Sequence, residues 1–113
     1  MKKIEAIIRP ERIQLLRDKL SDIGIGGMTI TEAAGTGKQK GGTGIFRGTT
    51  FKVELLPKIK VEIVADEDQL EKIIDLMIKT CSTGDVGDGK IFISPIEQTI
   101  RIRTGERGEQ AVL

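Results

Sequence analysis

The residues best suited to chemistry lie in the last third of the chain. Gly87-Asp88-Gly89-Lys90 puts two glycines, an acid and a cation in four consecutive positions. Successive glycines let backbone N–H groups approach a phosphate closely, and the lysine adds charge. Arg101 and Arg103 follow in Thr99 to Arg103, a segment that alternates like a short strand. Residues two apart on a strand share a face, so both guanidinium groups would lean the same way. Guanidinium groups hold phosphate oxygens bidentately. Asp88 could accept from a ribose hydroxyl or brace a nearby arginine. The group reads as a polyphosphate site, and the competing reading is a hairpin turn with solvated charges. Gly84 to Lys90 also has Walker A spacing. However, Ile91 stands where Ser or Thr should hold magnesium, and a strand follows instead of a helix, so this is not a P-loop.

A second polar cluster sits mid-chain. Residues 35–50 hold six glycines together with Lys38, Gln39, Lys40 and Arg47. One reading is an arm that orders around an anion or a partner. The other is a solvated linker. Ile45, Phe46 and Phe51 favour a contact arm, unless they are buried in the core. Lys58 follows Pro57, and Lys60 lies two further on. A strand lysine of this kind is solvated unless the fold brings it to the glycine bend.

Composition removes several classes of function. The chain has no His and one Cys, Cys81. Imidazole bases, Ser-His-Asp triads, His-Cys zinc sites and intrachain disulfides are all excluded. Eighteen basic and 17 acidic residues give a net charge of +1, so nothing global favours nucleic acid or a membrane surface. There is no long apolar run for membrane insertion or a signal peptide. The expected protein is soluble and cytoplasmic.

The elements that must position these residues can be read from periodicity. The length of 113 residues suits a single domain over 1–113, with an aliphatic core, since Phe occurs three times and Tyr and Trp are absent. Met1 to Arg9 is strand-like. Pro10 suits a helix start, and Ile13, Leu16, Leu20 and Ile23 mark one helical face until Gly24. Met28 to Ala33 and Phe51 to Ala65 are extended, and Pro57 implies an edge, a bulge or a strand start. Asp66 to Ser82 is the clearest helix, with Asp66 and Gln69 resembling a capping box. Lys90 to Ile93 is a strand, and residues 104–113 look like a mobile tail. The order predicts an α+β fold, the ferredoxin-like βαββαβ unit with a four-stranded antiparallel sheet. RNA-binding versions of that fold stack bases on strand aromatics, which this chain lacks.

These residues carry a resemblance. Thr83-x-x-x-Gly87-Asp88-Gly89-Lys90-Ile91-Phe92-Ile93 is similar to the C-terminal signature of PII signal-transduction proteins. Phe46-Arg47-Gly48-Thr49-Thr50-Phe51 stands where that family carries its T-loop signature. MKKIEAIIRP, GMTITEAAGTGKQKG, LLPKIKVEIV and IRIRTGE also resemble PII sequence. The resemblance implies a non-catalytic homotrimer that senses ATP or ADP and 2-oxoglutarate. A flexible T-loop, about residues 36–54, would regulate nitrogen-metabolism partners such as an ammonium transporter, an enzyme or a regulator.

The same resemblance assigns residues. Lys38, Gly87, Asp88, Gly89, Lys90, Arg101 and Arg103 would serve the nucleotide phosphates, with Thr29, Glu62 and Val64 around the adenosine and Gly35 also in the nucleotide site. Gln39 would help coordinate Mg2+ bridging ATP and 2-oxoglutarate. Lys58 would pair with the distal carboxylate of 2-oxoglutarate, and Lys40, Gly41 and Gly87 would offer backbone groups. Ile45, Phe46, Arg47, Thr49 and Phe51 would meet partners, a transporter among them recruiting the protein to the inner membrane. Phe51 replaces the tyrosine that many relatives have nucleotidylylated, so that modification is impossible here. Two alternatives are a PII-like sensor of another anion or nucleotide, and a weak nucleotide hydrolase in which Glu62 is the one candidate base.

Overall fold

The structure, a computed structural model, describes residues 1–38 and 53–112. Strand β1 is Lys2–Ile8, followed by a 3-10 turn at Pro10–Arg12 and helix α1, Ile13–Asp22. Strands β2 (Thr29–Lys38) and β3 (Val53–Ala65) precede helix α2 (Glu67–Cys81) and strand β4 (Lys90–Pro95). The sheet order is β2-β3-β1-β4, with every neighbouring pair antiparallel. This is the expected split βαβ arrangement, in which each helix crosses over a strand inserted between its own two.

Alternation along the two central strands builds the core. Ile4, Ala6 and Ile8 of β1 and Val61, Ile63 and Ala65 of β3 are buried on one face. Leu16 and Leu20 of α1 and Ile73, Met77 and Cys81 of α2 close over them. On the opposite face Lys3, Glu5, Lys60, Glu62 and Val64 remain partly exposed. Lys3 Nζ lies 3.4 Å and Lys60 Nζ 3.5 Å from the Glu62 carboxylate. The Lys3 hydrogen bond is the main cause holding the Glu62 carboxyl below its usual range.

Helix α1 ends in a Schellman motif. Gly24 adopts φ +84°, its N–H donates to the Ser21 carbonyl at 3.0 Å, and the Ile25 N–H donates to Leu20 at 2.9 Å. At the start of α2 the expected capping box is replaced by a backbone turn. The Asp66 side chain makes no cap bond, and the Gln69 N–H donates to the Asp66 backbone carbonyl at 3.1 Å. That bond occupies the donor the carboxylate would have met.

Two further segments differ from the expectation, and Pro57 takes the edge-like position that is one of its expected options. β2 continues four residues into the glycine-rich stretch, with Gly35 opposite Leu56 and Lys38 opposite Val53. Ladder bonds use only the backbone, so glycines can pair where a partner strand already extends. Pro57 is tolerated because the β1–β3 pairing ends at Ile59, which leaves Pro57 paired with β2 alone. Thr99 to Arg103 is not a strand. Ile100 makes one isolated bridge to Arg107, and the chain turns between, with the Gly105 N–H donating to the Arg101 carbonyl at 2.8 Å. Gly105 at φ +74° permits that reversal, which alternation alone does not reveal.

The packing predicts a contrast between two substitutions. Ile73 is fully buried, so Ile73→Ala should lower stability by about 2–5 kcal/mol in urea denaturation. Val86 is 72% exposed, and Val86→Ala should stay within about 0.5 kcal/mol of the parent.

Candidate functional site

The bend leading into β4 is assembled from three elements. Asp88 organises it. Its carboxylate accepts from the Thr83 hydroxyl, from the Thr83 N–H at 2.7 Å and from the Gly84 N–H at 2.9 Å. Arg9, just past the end of β1, donates from Nε to the same carboxylate at 3.1 Å and from Nη2 to the Val86 carbonyl at 2.9 Å. Led by the Thr83 hydroxyl, these donors hold the Asp88 carboxyl far below its ordinary value. Of the two roles expected for Asp88, bracing an arginine is the one its geometry serves in the chain by itself.

Lys58 of β3 meets this bend. Its ammonium donates to the Gly87 carbonyl at 2.5 Å. Gly35, across the β2–β3 pair, leaves room for the lysine stem, since a Cβ there would lie 3.3 Å from Lys58 Cγ. The lysine therefore satisfies the one condition under which the sequence made it interesting. Gly87, at φ +103°, sits between the two cations. A Cβ on it would lie 3.2 Å from Arg9 Nη2 and 3.7 Å from Lys58 Nζ.

Gly89 answers a stricter demand. Its φ is +102°, and a Cβ built on it would fall 1.6 Å from the Ile7 carbonyl oxygen. The second glycine of the motif is thus required by strand packing before any ligand is considered. Lys90 begins β4 opposite Ile7 and is exposed.

The remaining expected residues lie at the other end of the sheet. Lys90 pairs with Ile7, whereas Pro95 pairs with Lys2. The Ile96 N–H donates to Met1, and the Thr99 hydroxyl contacts Met1 Sδ at 3.6 Å. The bend and Arg101 are therefore separated by the full length of β4, six residues at roughly 3.3 Å each. Arg101 and Arg103 do not sit on one strand face, because their segment is a turn. Arg101 Nη1 lies 3.3 Å from Glu106, and Nη2 donates to the Gln110 carbonyl at 2.8 Å. Near this end Thr29, Glu62 and Val64 share a groove of about 590 Å³ with Gln69, Thr99 and Val112.

Lys38 ends β2, and Gln39, Lys40, Gly41, Ile45, Phe46, Arg47, Thr49 and Phe51 lie outside the described residues. Among the described residues there is no group of three acidic or Cys side chains that could hold a metal. None of their helices is long and apolar enough to cross a membrane. Sequence reasoning missed Arg9 and gave Thr83 no role. Both act through contacts to Asp88 at sequence separations of 79 and 5. Only their presence in the quoted segments, Arg9 in MKKIEAIIRP and Thr83 in the signature, pointed to either.

Two outcomes follow from this geometry. Gly89→Ala should destabilise the fold by about 2 kcal/mol or more, because backbone atoms of β1 must move. An unchanged denaturation midpoint would contradict the close approach. The folded pKa of Asp88 lies below its unfolded value, so its contribution is complete above about pH 4 and fades as pH falls through the native value. Urea melts of Asp88→Asn and the parent should therefore differ at neutral pH and converge in acid.

The chain's relatives agree with this architecture. A family model described as Nitrogen regulatory protein P-II matches residues 1–106. The nitrogen regulatory protein P-II of Pasteurella multocida is 51% identical over 112 residues, covering 99% of this chain and 100% of its own. That of Nostoc punctiforme is 53% identical with the same coverage. Nitrogen regulatory protein P-II 1 of Escherichia coli is 47% identical, again over 99% and 100%. A crystal structure of Arabidopsis thaliana PII bound to citrate aligns with a TM-score of 0.77 at 41% identity, over 98% of this chain and 88% of that one. Proteins so named are signalling proteins and not enzymes. Sequence over nearly the whole length and the split-βαβ sheet lead to one conclusion: the chain belongs to the P-II family of nitrogen regulatory signal-transduction proteins.

Proposed function

We propose that the chain is a sensor of ATP or ADP and of 2-oxoglutarate that works as a homotrimer and signals to nitrogen-metabolism partners through residues 36–54. One observation carries this reading: a single chain divides its expected nucleotide residues between opposite ends of one sheet. Identical chains joined head to tail in a closed ring bring unlike ends together. The bend of one chain, with Gly35, Lys38 and Gly87 to Lys90, then supplies half a site. The groove of its neighbour, with Thr29, Glu62, Val64, Arg101 and Arg103, supplies the other half. Phe92 and Ile93 on the edge strand β4 are 52% and 41% exposed in the single chain, which supports burial against another copy.

The effector reading rests on Lys58. Its partner among the described residues is a neutral carbonyl, and a carboxylate is a stronger acceptor for an ammonium. Gln39, Lys40 and Gly41 would complete the site from the start of the loop. The citrate in the Arabidopsis thaliana relative supports a polycarboxylate ligand. A magnesium ion fits a site with no acidic cluster among the described residues, since Mg2+ commonly takes most of its oxygens from ligands and water. Gln39 would add one amide oxygen, and the ion would supply charge joining nucleotide and keto acid. Partners would be met by Ile45, Phe46, Arg47, Thr49 and Phe51. An ammonium transporter among them would draw a cytoplasmic protein to the inner membrane. With no Tyr in the chain, tyrosine nucleotidylylation plays no part. The citrate also keeps a second reading in view, a sensor of a different carboxylate.

Calorimetry separates these readings. 2-Oxoglutarate should bind at least about tenfold more tightly with Mg-ATP than without it. Equal affinity in both conditions would refute the shared site, and a stronger response to another acid in a thermal-shift panel would favour the second reading. Arg103→Ala and Lys90→Ala should each weaken ATP binding by about tenfold or more. Refolding the two variants together should restore some tight sites, because mixed trimers pair intact halves. No restoration would mean that one chain builds the whole site.

A further inference from the structure

The C-terminal segment, residues 104–112, folds back beside the groove shared by Thr29, Glu62 and Val64. The Gly108 N–H donates to the Thr99 carbonyl at 3.0 Å, Arg107 Nη1 donates to Gln98 Oε1 at 3.0 Å, and Ile100 bridges to Arg107. A 3-10 turn at Glu109–Ala111 follows, and Val112 joins Thr99 in the groove wall. The same segment engages Arg101. Nη1 of that residue lies 3.3 Å from the Glu106 carboxylate, and Nη2 donates to the Gln110 carbonyl at 2.8 Å. Two oxygens, one of them anionic, thus meet the two outer nitrogens of one guanidinium. A phosphate engages a guanidinium in the same two-pronged way. Little burial holds the segment down. No side chain in residues 104–112 is buried, so its release uncovers no core, and segments of this kind open at low cost.

We propose that residues 104–112 form an autoinhibitory strap in which Glu106 and Gln110 stand in for nucleotide phosphate oxygens on Arg101. The inference rests on the nucleotide reading of Arg101 and the groove above. A nucleotide that takes Arg101 must displace Glu106 and Gln110, and its base must share the groove with Val112. Strap and nucleotide are therefore competitors. The apparent nucleotide affinity scales with the fraction of chains whose strap is open. The coupling is reciprocal, so a nucleotide opens the strap by the same factor by which the strap opposes the nucleotide. Nucleotide binding is thereby recorded in the C-terminal segment.

The experiment uses the full-length assembled protein, with ATP titrated calorimetrically and thermal melts confirming folding. Glu106→Gln should tighten ATP binding by about threefold or more, because a neutral amide competes less well for the guanidinium. The gain should disappear when Glu106→Gln is placed in Arg101→Ala, itself about tenfold or more weaker than the parent. A general repulsion between Glu106 and the phosphates predicts that the gain survives in that background. Hydrogen exchange reads the strap directly. ATP should speed exchange at the Gly108 amide, whereas a ligand that merely covers the segment slows it. Unchanged or weaker ATP binding by Glu106→Gln, a gain that persists without Arg101, or unchanged or slower exchange at Gly108 with ATP overturns the strap. A parent protein that binds no ATP, or an Arg101→Ala protein that binds it as tightly as the parent, overturns the nucleotide reading itself, and the strap falls with it.

Discussion

Where the Gly89 backbone crosses the Ile7 carbonyl, no side chain can be admitted, and that crossing sets where β4 begins. Because β4 pairs with β1 from Lys90 opposite Ile7, the crossing also determines the register of the outer strand. The register then places the preceding bend beside the end of β1, within reach of Arg9. The same β1 end pairs with β3 through Ile8 and Ile59, which brings Lys58 to the bend from the other side. One steric constraint thus gathers residues from the ends of β1 and β4 and from the middle of β3 around Gly87.

Asp88 converts this gathering into a defined shape. A carboxylate that accepts two backbone N–H groups and a hydroxyl closes the turn from Thr83 as a side-chain cap would close a helix. Its depressed pKa is the electrostatic signature of those donors and of Arg9. The aspartate of the motif is accordingly explained by the fold before a ribose or phosphate is invoked, as is Gly89. A residue pattern that reads as ligand chemistry can be demanded first by backbone geometry.

Antiparallel pairing also has a consequence at the level of assembly. β4 runs nearly the length of β1, so residues just before it and just after it lie at opposite ends of that strand. In the proposed trimer a partner copy would join them, and the exposed apolar residues on the β4 edge are where such a copy would add burial.

The element order, the core face and the family were legible in the sequence by itself. Period-two alternation in β1 and β3, helical spacing from Leu70 to Cys81, and the Gly87 to Ile93 signature are local patterns, and local patterns survive without knowledge of distant contacts. Lys58 was legible only conditionally, because nothing near it in sequence says that β3 passes the bend at this residue. Arg9 was not legible, since its partner lies 79 residues away and an arginine before a proline looks like any solvated strand end. The turn at Arg101 was misread as a strand because alternation records side-chain polarity, whereas the reversal depends on Gly105 reaching positive φ and on the Ile100–Arg107 bridge. Tertiary structure decided these points because each depends on which backbone segments meet, a property of pairing that no window of the chain contains.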